Sequence, residues 1–566
     1  MAEQLGGLIN AVGGPEYASV LLDPLTTLAC VEEATVREKA VIALNGLLVA
    51  LPDTIIERVA WPAIRALATR DWFTSRSAAS ALLARVMTRL PTKALAVPGA
   101  ATKDDAFAAF VRLCAADEVA VVRRAAAAQI PDIATALAGG TLPSPESRAN
   151  ASAAAAAAAL VGSNSVGAVE LDLAEDVSSA LPPAAPTPTI VDASSAAAGA
   201  AAAVILLPLA QAFARDEQDS VRLLGVLGAI AIARLTNGGM ASVTDGSAGA
   251  RARLADGGAA RSAALALLGE LSRDRAWRIR WSVAHRLREL AEAIGAPLAS
   301  SAIVPVLTAL CRDSEAEVRA AAAYRIAEVA TVVGPAATRS ALLPAAEELV
   351  GDSSEPVRAA LAAVLLGVVP VLGAGVAVDS VLPLFLRLLK DTAPHIRLHA
   401  LARIDVLASA VPLRSLAPSL LPAVEDLSSA RSWRLRAATI NFMPALARLL
   451  GAEVFETTPT LVDLVLRWLA DPVFAIREAA AVNLRALALA FGAPWAERVL
   501  MPRVLGLVDA AAAGSASGAA SAFQMRMTSL LALIVSIFFG TNLVVFYAAL
   551  AHSIDLTSPY PFHPHT

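Results

Sequence analysis

The feature that most constrains the fold is a short motif that recurs at a constant interval. The stretch DSEAEVRAAA at 313–322 combines an acid, a Val-Arg pair and a run of alanines, and related stretches recur along the chain. The arginine of this motif recurs with a period of 39, at Arg280, Arg319, Arg358, Arg397 and Arg436. A constant step of this length is typical of repeat proteins, so the 566 residues predict one array of similar units and not several unrelated globules.

Each repeat predicts two helices joined by a turn. Several units have a proline eight residues before the Asp, inside an apolar run such as VLPLFLRLLKD at 381–391, which indicates a first helix bent at proline. The stretch from Asp to Arg predicts the turn, in which Asp or Ser accepts hydrogen bonds from the first amides of the second helix. The alanines after the arginine predict that second helix. A single pair cannot bury its apolar face alone, so neighbouring pairs must stack.

The Asp and the Arg recur once per repeat and therefore lie at the same edge of the stack. We expect them to form a ladder of ion pairs that bridges adjacent repeats and fixes their register. The predicted ladder includes Asp313, Arg319, Asp352, Arg358, Asp391 and Arg397.

Composition supports an all-α class and excludes some functions. Hydrophobic residues make up 57% of the chain but aromatic residues only 4%, an excess that comes from alanine and leucine, both good helix formers. A net charge of −4 lacks the basic field that drives nucleic-acid binding. The cysteines Cys30, Cys114 and Cys311 never form a CxxC pair, which is typical of a reducing compartment and argues against a disulfide framework or a zinc site.

The repeats are interrupted by low-complexity segments. We predict N-terminal repeats at 1–137, a disordered insert at 138–203, and further repeats at 204–510 with a loop insert at 236–260. A second low-complexity insert follows at 511–522, and residues 523–566 contain a degenerate repeat start and an apolar tail. The N-terminus MAEQLGGLIN lacks the features of a signal peptide, so we expect a cytoplasmic protein that can also be nuclear.

The apolar tail allows two interpretations. Residues 529–551 contain no charge and are long enough to cross a bilayer as a helix, with Arg503 and Arg526 before them, which would make the chain a tail-anchored protein with cytosolic repeats. Alternatively, the segment begins as a repeat helix. A second charge-free stretch at 359–378 is assigned to a repeat, because the constant step from Arg358 to Arg397 runs through it.

Catalytic patterns are missing from the sequence. No GxxxxGK[ST], HExxH or GxSxG motif occurs, so we expect no enzyme activity and no cofactor. His395 and His399 lie four residues apart but lack a third ligand nearby, so we expect them on a polar helix face and expect no metal site.

A period near 39 with two helices per unit resembles the HEAT family of α-solenoids. Specific turns are also similar to successive repeats of the scaffolding A subunit of protein phosphatase 2A: VGGPEY (12–17), DWFTSR (71–76), RDEQDSVRLL (215–224), AWRIR (276–280), SWRLR (432–436) and DPVFAIREAA (471–480). The resemblance implies an α-solenoid of about eleven HEAT repeats that lacks the first repeat and a half and the last repeats of the family. An incomplete gene model and a shortened paralogue both explain this difference.

The resemblance also implies partners: a regulatory B-type subunit, together with a phosphatase catalytic subunit, both of which bind the turns within the repeats. The regulatory-subunit interface would include Asp71, Trp72, Phe73, Arg76, Glu217, Asp219, Arg222, Trp277 and Arg278. The catalytic-subunit interface would include Trp433, Arg434 and Phe474.

The residues give independent support for such an interface. A turn with Trp next to Arg has the composition of an interface hot spot, and it occurs in both AWRIR and SWRLR. The alternative is that each tryptophan fills the gap between adjacent helices. Other functions consistent with a HEAT array are a nuclear-transport or cytoskeletal adaptor and a tail-anchored membrane protein with cytosolic repeats.

Overall fold

The computed structural model describes residues 2–91, 102–115, 117–144, 193–237, 248–404, 406, 417–504 and 506. All regular structure within these ranges is helical, which confirms the predicted α-solenoid class. The chain divides into two compact units, Met1–Arg325 and Ile326–Thr566, and the boundary falls inside the helix Ala316–Ala337.

The first unit alternates first and second helices as the repeat predicts. Its first helices are Leu22–Leu28, Trp61–Thr69, Lys103–Ala115, Ala193–Ala214, Ala248–Leu271 and Val304–Leu310. Its second helices are Ala34–Ala50, Phe73–Arg89, Ala120–Ala127 with Ile130–Leu137, Asp219–Asn237, and Trp277–His285 with Leu287–Ile294. Shorter helical segments are Ala2–Gly6, Ala18–Leu21, Asp53–Ile55 and Ala296–Leu298.

The second unit has the same order. Its first helices are Leu343–Val350, Leu382–Leu388, Ala417–Ser428, and Ala452–Thr457 with Pro459–Arg467. Its second helices are Glu355–Val364 with Leu365–Val368 and Val369–Leu372, then Pro394–Leu401, Trp433–Leu450 and Phe474–Phe491. Shorter segments are Ala374–Val376, Trp468–Ala470 and Ala493–Trp495.

The prolines of the first helices follow a widened helical turn. In the described part of the chain, π-helical turns occur at Ile56–Ala60, Ala299–Ile303, Thr338–Leu342, Ala377–Val381 and Ala496–Leu500. Each one ends two residues before a proline, as with Pro305 after Ala299–Ile303. Proline has no N–H and its ring clashes with the carbonyl four residues earlier, so a wider turn accommodates it without ending the helix.

Glycines join successive repeats in a backbone conformation that other residues avoid. Gly295, Gly334 and Gly373 have φ of 78°, 81° and 78°, in the left-handed region where a Cβ atom causes strain. They recur with the same period as the arginines, so their spacing is a signal in the sequence that marks the ends of these three second helices.

Small residues allow the helices to approach closely. A Cβ atom added at Gly367 would lie 2.9 Å from the Cβ of Ala327, closer than packed carbon atoms allow.

Buried asparagines form hydrogen bonds between neighbouring second helices. In the first unit, buried Asn45 donates from Nδ2 to the carbonyl of Ala81 in the next second helix, at 3.4 Å. In the second unit, buried Asn483 donates from Nδ2 to the carbonyl of Ile440 in the preceding second helix, at 3.2 Å.

The edges of two inserts differ from the sequence prediction. The helix Ala193–Ala214 begins inside the segment assigned to the disordered insert, and the helix Ala248–Leu271 begins inside the loop insert. Both starts are rich in alanine, so their low complexity coincides with strong helix propensity. Residues 145–192, 238–247 and 507–566, which include the apolar segment 529–551, lie outside the described residues.

One helix in the described part of the chain is long and apolar enough to cross a membrane. It is Glu355–Leu372, with a mean hydropathy of 1.8 over 18 residues, and 44% of that window is buried. Length and composition alone do not distinguish a membrane span from a helix packed in an array. Here Gly367 contacts Ala327 and Arg358 pairs with the next turn, so the segment packs as the second helix of a repeat.

Candidate protein-protein interface

Bidentate ion pairs connect the turns of successive repeats. In each pair the arginine of one repeat donates from Nε and Nη2 to the two carboxylate oxygens of the aspartate in the next repeat. Arg280, for example, binds Asp313 with Nε–Oδ2 and Nη2–Oδ1 distances of 2.7 and 2.8 Å. Pairs of this kind among the described residues include Arg76–Asp117, Arg123–Asp216, Arg222–Asp274, Arg280–Asp313, Arg358–Asp391 and Arg436–Asp471.

The same two side chains also fix the shape of each turn. Arg358 uses its third nitrogen, Nη1, to donate to the carbonyl of Asp352 in its own turn, at 2.8 Å. Asp391 accepts from the backbone N–H of Ala393 at 2.9 Å. We expected the aspartate to accept from the first amides of the helix. Instead it accepts from Ala393, the N-cap residue, because it lies too far before the helix to reach the helical amides. Each pair therefore ties two repeats and two turns together.

These pairs change the pKa of both groups. Burial raises the pKa of the Asp391 carboxyl, but the hydrogen bonds from Arg358 and Ala393 and the charge of Arg358 outweigh burial, so that the pKa lies below its usual 3.8. The hydrogen bond to Asp391 raises the pKa of Arg358, against the opposite effect of burial. The side chains are only 7% and 16% exposed, so the ion pair is largely shielded from water.

The predicted ladder fails at one position. The turn contacts of the ladder are present at Arg319 and at Asp352: Arg319 donates from Nη1 to the carbonyl of Asp313, and Asp352 accepts from the N–H of Ser354. Arg397 does not form the pair that we predicted. Its Nη1 binds the carbonyl of Asp391 at 2.7 Å, but its Nε is buried without a hydrogen-bond partner. The physical reason is that Ala430 takes the place of the aspartate in the next repeat.

The turns expose aromatic rings between the paired Asp and Arg positions. Trp433 is 43% exposed, Phe474 is 61% exposed and Trp72 is 52% exposed, whereas Trp277 is half-buried. Exposed rings of this size are uncommon on a surface without partners, and tryptophan is enriched in interface hot spots. The burial of Trp277 therefore agrees better with the alternative in which the ring fills the gap between helices.

An arginine lies over the ring in three of these turns. The Cζ atoms of Arg278, Arg434 and Arg477 are 5.5, 5.3 and 5.6 Å from the ring centroids of Trp277, Trp433 and Phe474. This geometry allows cation–π attraction between each guanidinium and the ring beside it.

Trp433, Arg434 and Phe474 form one surface, which we call the aromatic edge. The turns that carry Trp433 and Phe474 are adjacent, because the Arg436–Asp471 pair joins them. All three side chains are exposed. The structure thus brings together the residues that the family resemblance implies for the catalytic subunit.

The residues implied for the regulatory subunit separate into two groups. Exposed side chains are Asp71, Trp72, Glu217, Asp219 and Arg278, and half-buried side chains are Phe73 and Trp277. Arg76 and Arg222 instead bind aspartates of the next repeat, and Arg222 is 5% exposed. These two arginines are parts of the ladder and offer little surface to a partner.

We did not single out Trp281 in the sequence, although it follows Trp277 by four residues in AWRIRW. Trp281 is 37% exposed and stacks on His285 with the ring centroids 4.9 Å apart. Burial, together with the charges of Arg325 and Arg286, lowers the pKa of His285 to about 3. The imidazole is therefore neutral at physiological pH and acts as an aromatic packing group.

No group of three or more His, Cys, Asp or Glu side chains that could hold a metal occurs in the part of the chain that the structure describes. His395 binds Glu355 with an Nε2–Oε1 distance of 3.2 Å, and its ring centroid lies 6.3 Å from that of His399. Cys30, Cys114 and Cys311, which all lie in the described ranges, form no disulfide bond.

Comparisons with known proteins support the HEAT assignment. Residues 296–373 match the family described as PPP2R1A-like HEAT repeat. A chain in the structure of Kap95p bound to RanGDP has a TM-score of 0.51 at 13% sequence identity, and the match covers 97% of this chain and 65% of that chain. At this identity the likeness shows the fold alone.

Two curated relatives are more similar in sequence. The regulatory A subunit of protein phosphatase PP2A from Schizosaccharomyces pombe is 39% identical over 127 residues, which cover 22% of this chain and 20% of that protein. The beta isoform of the human 65 kDa regulatory A subunit of serine/threonine-protein phosphatase 2A is 38% identical over 137 residues, covering 24% and 21%. The matches thus span about a fifth of the relatives' own length. Residues 296–373 thus match the PPP2R1A-like HEAT repeat, and about a quarter of the chain is similar to the regulatory A subunits of protein phosphatase 2A.

Proposed function

We propose that this chain is a non-catalytic scaffold of a serine/threonine phosphatase of the 2A type, and that it holds a B-type regulatory subunit, together with a catalytic subunit, on the turns of its repeats. The observation that carries the proposal is the identity of 38 to 40% to proteins named as regulatory subunits of protein phosphatase 2A. These names describe a regulatory role in a phosphatase whose active site lies on another chain.

The aromatic edge is the surface that we assign to the catalytic subunit. Two large exposed rings on adjacent turns offer apolar area, and Arg434 beside Trp433 adds a charge that can pair with a carboxylate. The ion pair between the two turns holds these groups at a fixed spacing. Because their orientation is fixed before binding, little conformational entropy is lost when a partner docks.

We assign the turns of the first unit to the B-type subunit. This surface extends over successive turns. Trp72 and Phe73, whose ring centroids are 5.6 Å apart, lie with Asp71 in one turn, Glu217 and Asp219 lie two ion pairs further along, and Trp277 and Arg278 lie in the turn after that. Its acidic groups favour a partner with basic side chains.

Binding assays with single substitutions test both assignments. The full chain is immobilised, and dissociation constants are measured for two partners, a B-type subunit plus the catalytic subunit of phosphatase 2A. We expect Trp433→Ala and Phe474→Ala each to weaken catalytic-subunit binding by about tenfold or more, the size of a hot-spot effect, and to leave B-subunit binding unchanged. Trp72→Ala should have the opposite selectivity.

Leu489→Ala is the matched control for Phe474→Ala. Leu489 lies on the same helix, is 56% exposed, and is outside the turn. Its truncation should leave both dissociation constants unchanged. Binding of neither subunit by the folded wild-type chain would contradict the proposed function, and equal losses in Leu489→Ala and Phe474→Ala would contradict the assignment of the surface.

We also propose that the protein is cytoplasmic and has access to the nucleus. The fold likeness to the Kap95p–RanGDP structure does not favour a transport role, because it shows helical stacking alone. Cell fractionation of the full chain and of a variant without residues 529–551 tests the location. Membrane association that disappears with the deletion would favour the tail-anchored alternative.

A further inference from the structure

We call each Arg–Asp ion pair between successive repeats a rung of the ladder. In the second unit one rung is missing, because Ala430 stands where the next aspartate would be. Arg358–Asp391 precedes the gap and Arg436–Asp471 follows it. Ala430 occupies the aspartate position of its turn, because Arg436 donates from Nη1 to the Ala430 carbonyl at 2.9 Å, just as Arg358 donates to the carbonyl of Asp352.

Arg397 is oriented like the arginines of complete rungs. Its Nη1 binds the carbonyl of Asp391 in its own turn, as Nη1 of Arg358 binds the carbonyl of Asp352. In complete rungs Nε and Nη2 then bind the next aspartate, but here Nε is buried and has no hydrogen-bond partner. A buried charged donor without an acceptor is costly, so the site favours an acceptor from elsewhere.

A third donor belongs to the same gap. In complete rungs the aspartate also accepts from the backbone N–H two residues later, as Asp471 does from Val473 at 2.9 Å. The equivalent N–H in this turn is that of Ser432, and Ala430 has no side-chain oxygen to accept from it. By their place in the repeat, Nε and Nη2 of Arg397 and the N–H of Ser432 correspond to the three donors that bind a carboxylate at Asp391 and at Asp471. We call these donors the carboxylate socket.

The surroundings of the socket favour an anion. The turn from Ala430 to Arg436 contains three arginines and no acid, and one of these arginines, Arg436, is paired with Asp471. Arg431, Arg434 and Trp433 of the same turn are exposed. A carboxylate that enters would meet positive charge on its way and an apolar ring beside it.

We propose that the carboxylate socket binds an aspartate or glutamate side chain of a partner protein, which completes the ladder in place of the missing aspartate. The partner's carboxylate would accept a bidentate pair of hydrogen bonds from Arg397 and a further bond from Ser432. Binding would then also join the two turns on either side of the gap. This inference concerns the isolated chain and does not rest on the proposed phosphatase function.

The experiment uses two probes with the full chain: acetate, which is a free carboxylate, and N-acetyl-aspartic acid N-methylamide, which represents an aspartate within a protein. Saturation-transfer NMR detects binding of each probe, and the melting temperature is followed at matched ionic strength with chloride as the reference. The wild-type chain should show transfer to both probes and a melting temperature that rises with probe concentration.

Two variants should abolish these effects. Ala430→Asp supplies the carboxylate from within the chain, so its melting temperature should be higher by about 1–3 °C without probe and should no longer respond to either probe. Arg397→Lys keeps the charge but loses the bidentate fork, and its response should also be lost. If Ala430→Asp does not fold, Arg397→Lys alone decides the test.

Equal responses of the wild-type chain and Arg397→Lys would show that the probes bind elsewhere and would overturn the proposal. A response to acetate without one to the aspartate model would also overturn it, because the socket would then admit only free carboxylates. Selective loss of both responses in the variants supports it.

Discussion

Removing one carboxylate from the ladder should destabilise the chain far more than removing an exposed one. In Asp391→Ala, Arg358 loses hydrogen bonds of 2.6 and 3.2 Å from Nε and Nη2, and Ala393 loses the acceptor of its N–H at 2.9 Å. The arginine remains in place because its Nη1 still binds the carbonyl of Asp352. The substitution therefore leaves a charged group without a partner in a site that water reaches poorly.

The expected loss follows from the burial of the pair. Breaking a fully buried ion pair costs about 3–5 kcal/mol, and a fully exposed pair contributes about 0–1 kcal/mol. Arg358 and Asp391 are 16% and 7% exposed, so the pair is close to the buried limit but not at it. We expect the free energy of unfolding to fall by about 2–3 kcal/mol, measured by urea denaturation with circular dichroism.

Asp379→Ala is the matched control, because Asp379 is an exposed residue of the same repeat. It removes the same atoms and should change the free energy of unfolding by less than about 0.5 kcal/mol. A double-mutant cycle with Arg358→Ala separates the pair from other effects and should give a coupling of about 1–3 kcal/mol. If Asp391→Ala and Asp379→Ala have equal effects, or the coupling is zero, the ladder does not stabilise the stack and the reasoning fails.

Three further predictions follow from the same structure. The folded state lowers the pKa values of four ladder carboxyls from 3.8: Asp216, Asp274, Asp313 and Asp391. Their contribution to stability is therefore complete above that pH and is lost as the pH falls through the folded-state values, so the ladder should begin to fail below about pH 4. A sharp loss of stability between about pH 6 and 5 that remains in a variant without His285 would contradict this. His285 has a pKa of about 3 when folded and 6.5 when unfolded, so stability should decline as the pH falls below 6.5, and His285→Phe should remove that part of the decline in pH-dependent urea titrations. Gly334→Ala forces a Cβ into a φ of 81° and should lower the free energy of unfolding by about 1 kcal/mol, whereas Gly375→Ala, where no strain and no close contact exists, should be neutral or stabilising.

The period made the fold predictable from the sequence. The constant step between arginines fixes the length of a helix pair, and the alanines after each arginine fix the side on which the next pair can approach. The choice of ion-pair partner was not predictable in the same way. Arg280 pairs with Asp313 of the next repeat and not with the carboxylate of Asp274 in its own turn, and this depends on how two helix pairs stack.

Other features required the backbone itself. The proline positions indicated a bend, but whether the helix breaks or widens depends on how its neighbours hold it, and here it widens into π turns. The absence of an acid in ARSWRLR was visible in the sequence. Its consequence for Arg397 followed only once the pairing rule placed Ala430 opposite that guanidinium.

The ladder explains how one repeat can serve both stability and recognition. The aspartate and the arginine of each complete rung are committed to hydrogen bonds with the backbone and with the neighbouring repeat, so they fix the path of the turn whatever lies between them. Within a turn, the side chains between the aspartate position and the arginine differ among the repeats and are exposed in several of them: Trp433 in one turn, Phe474 in the next. A substitution between the paired residues can thus change binding with little effect on stacking. Ala430 is the informative exception, because there a position that normally maintains the stack has lost its side-chain acceptor, and the donors that remain are available for recognition.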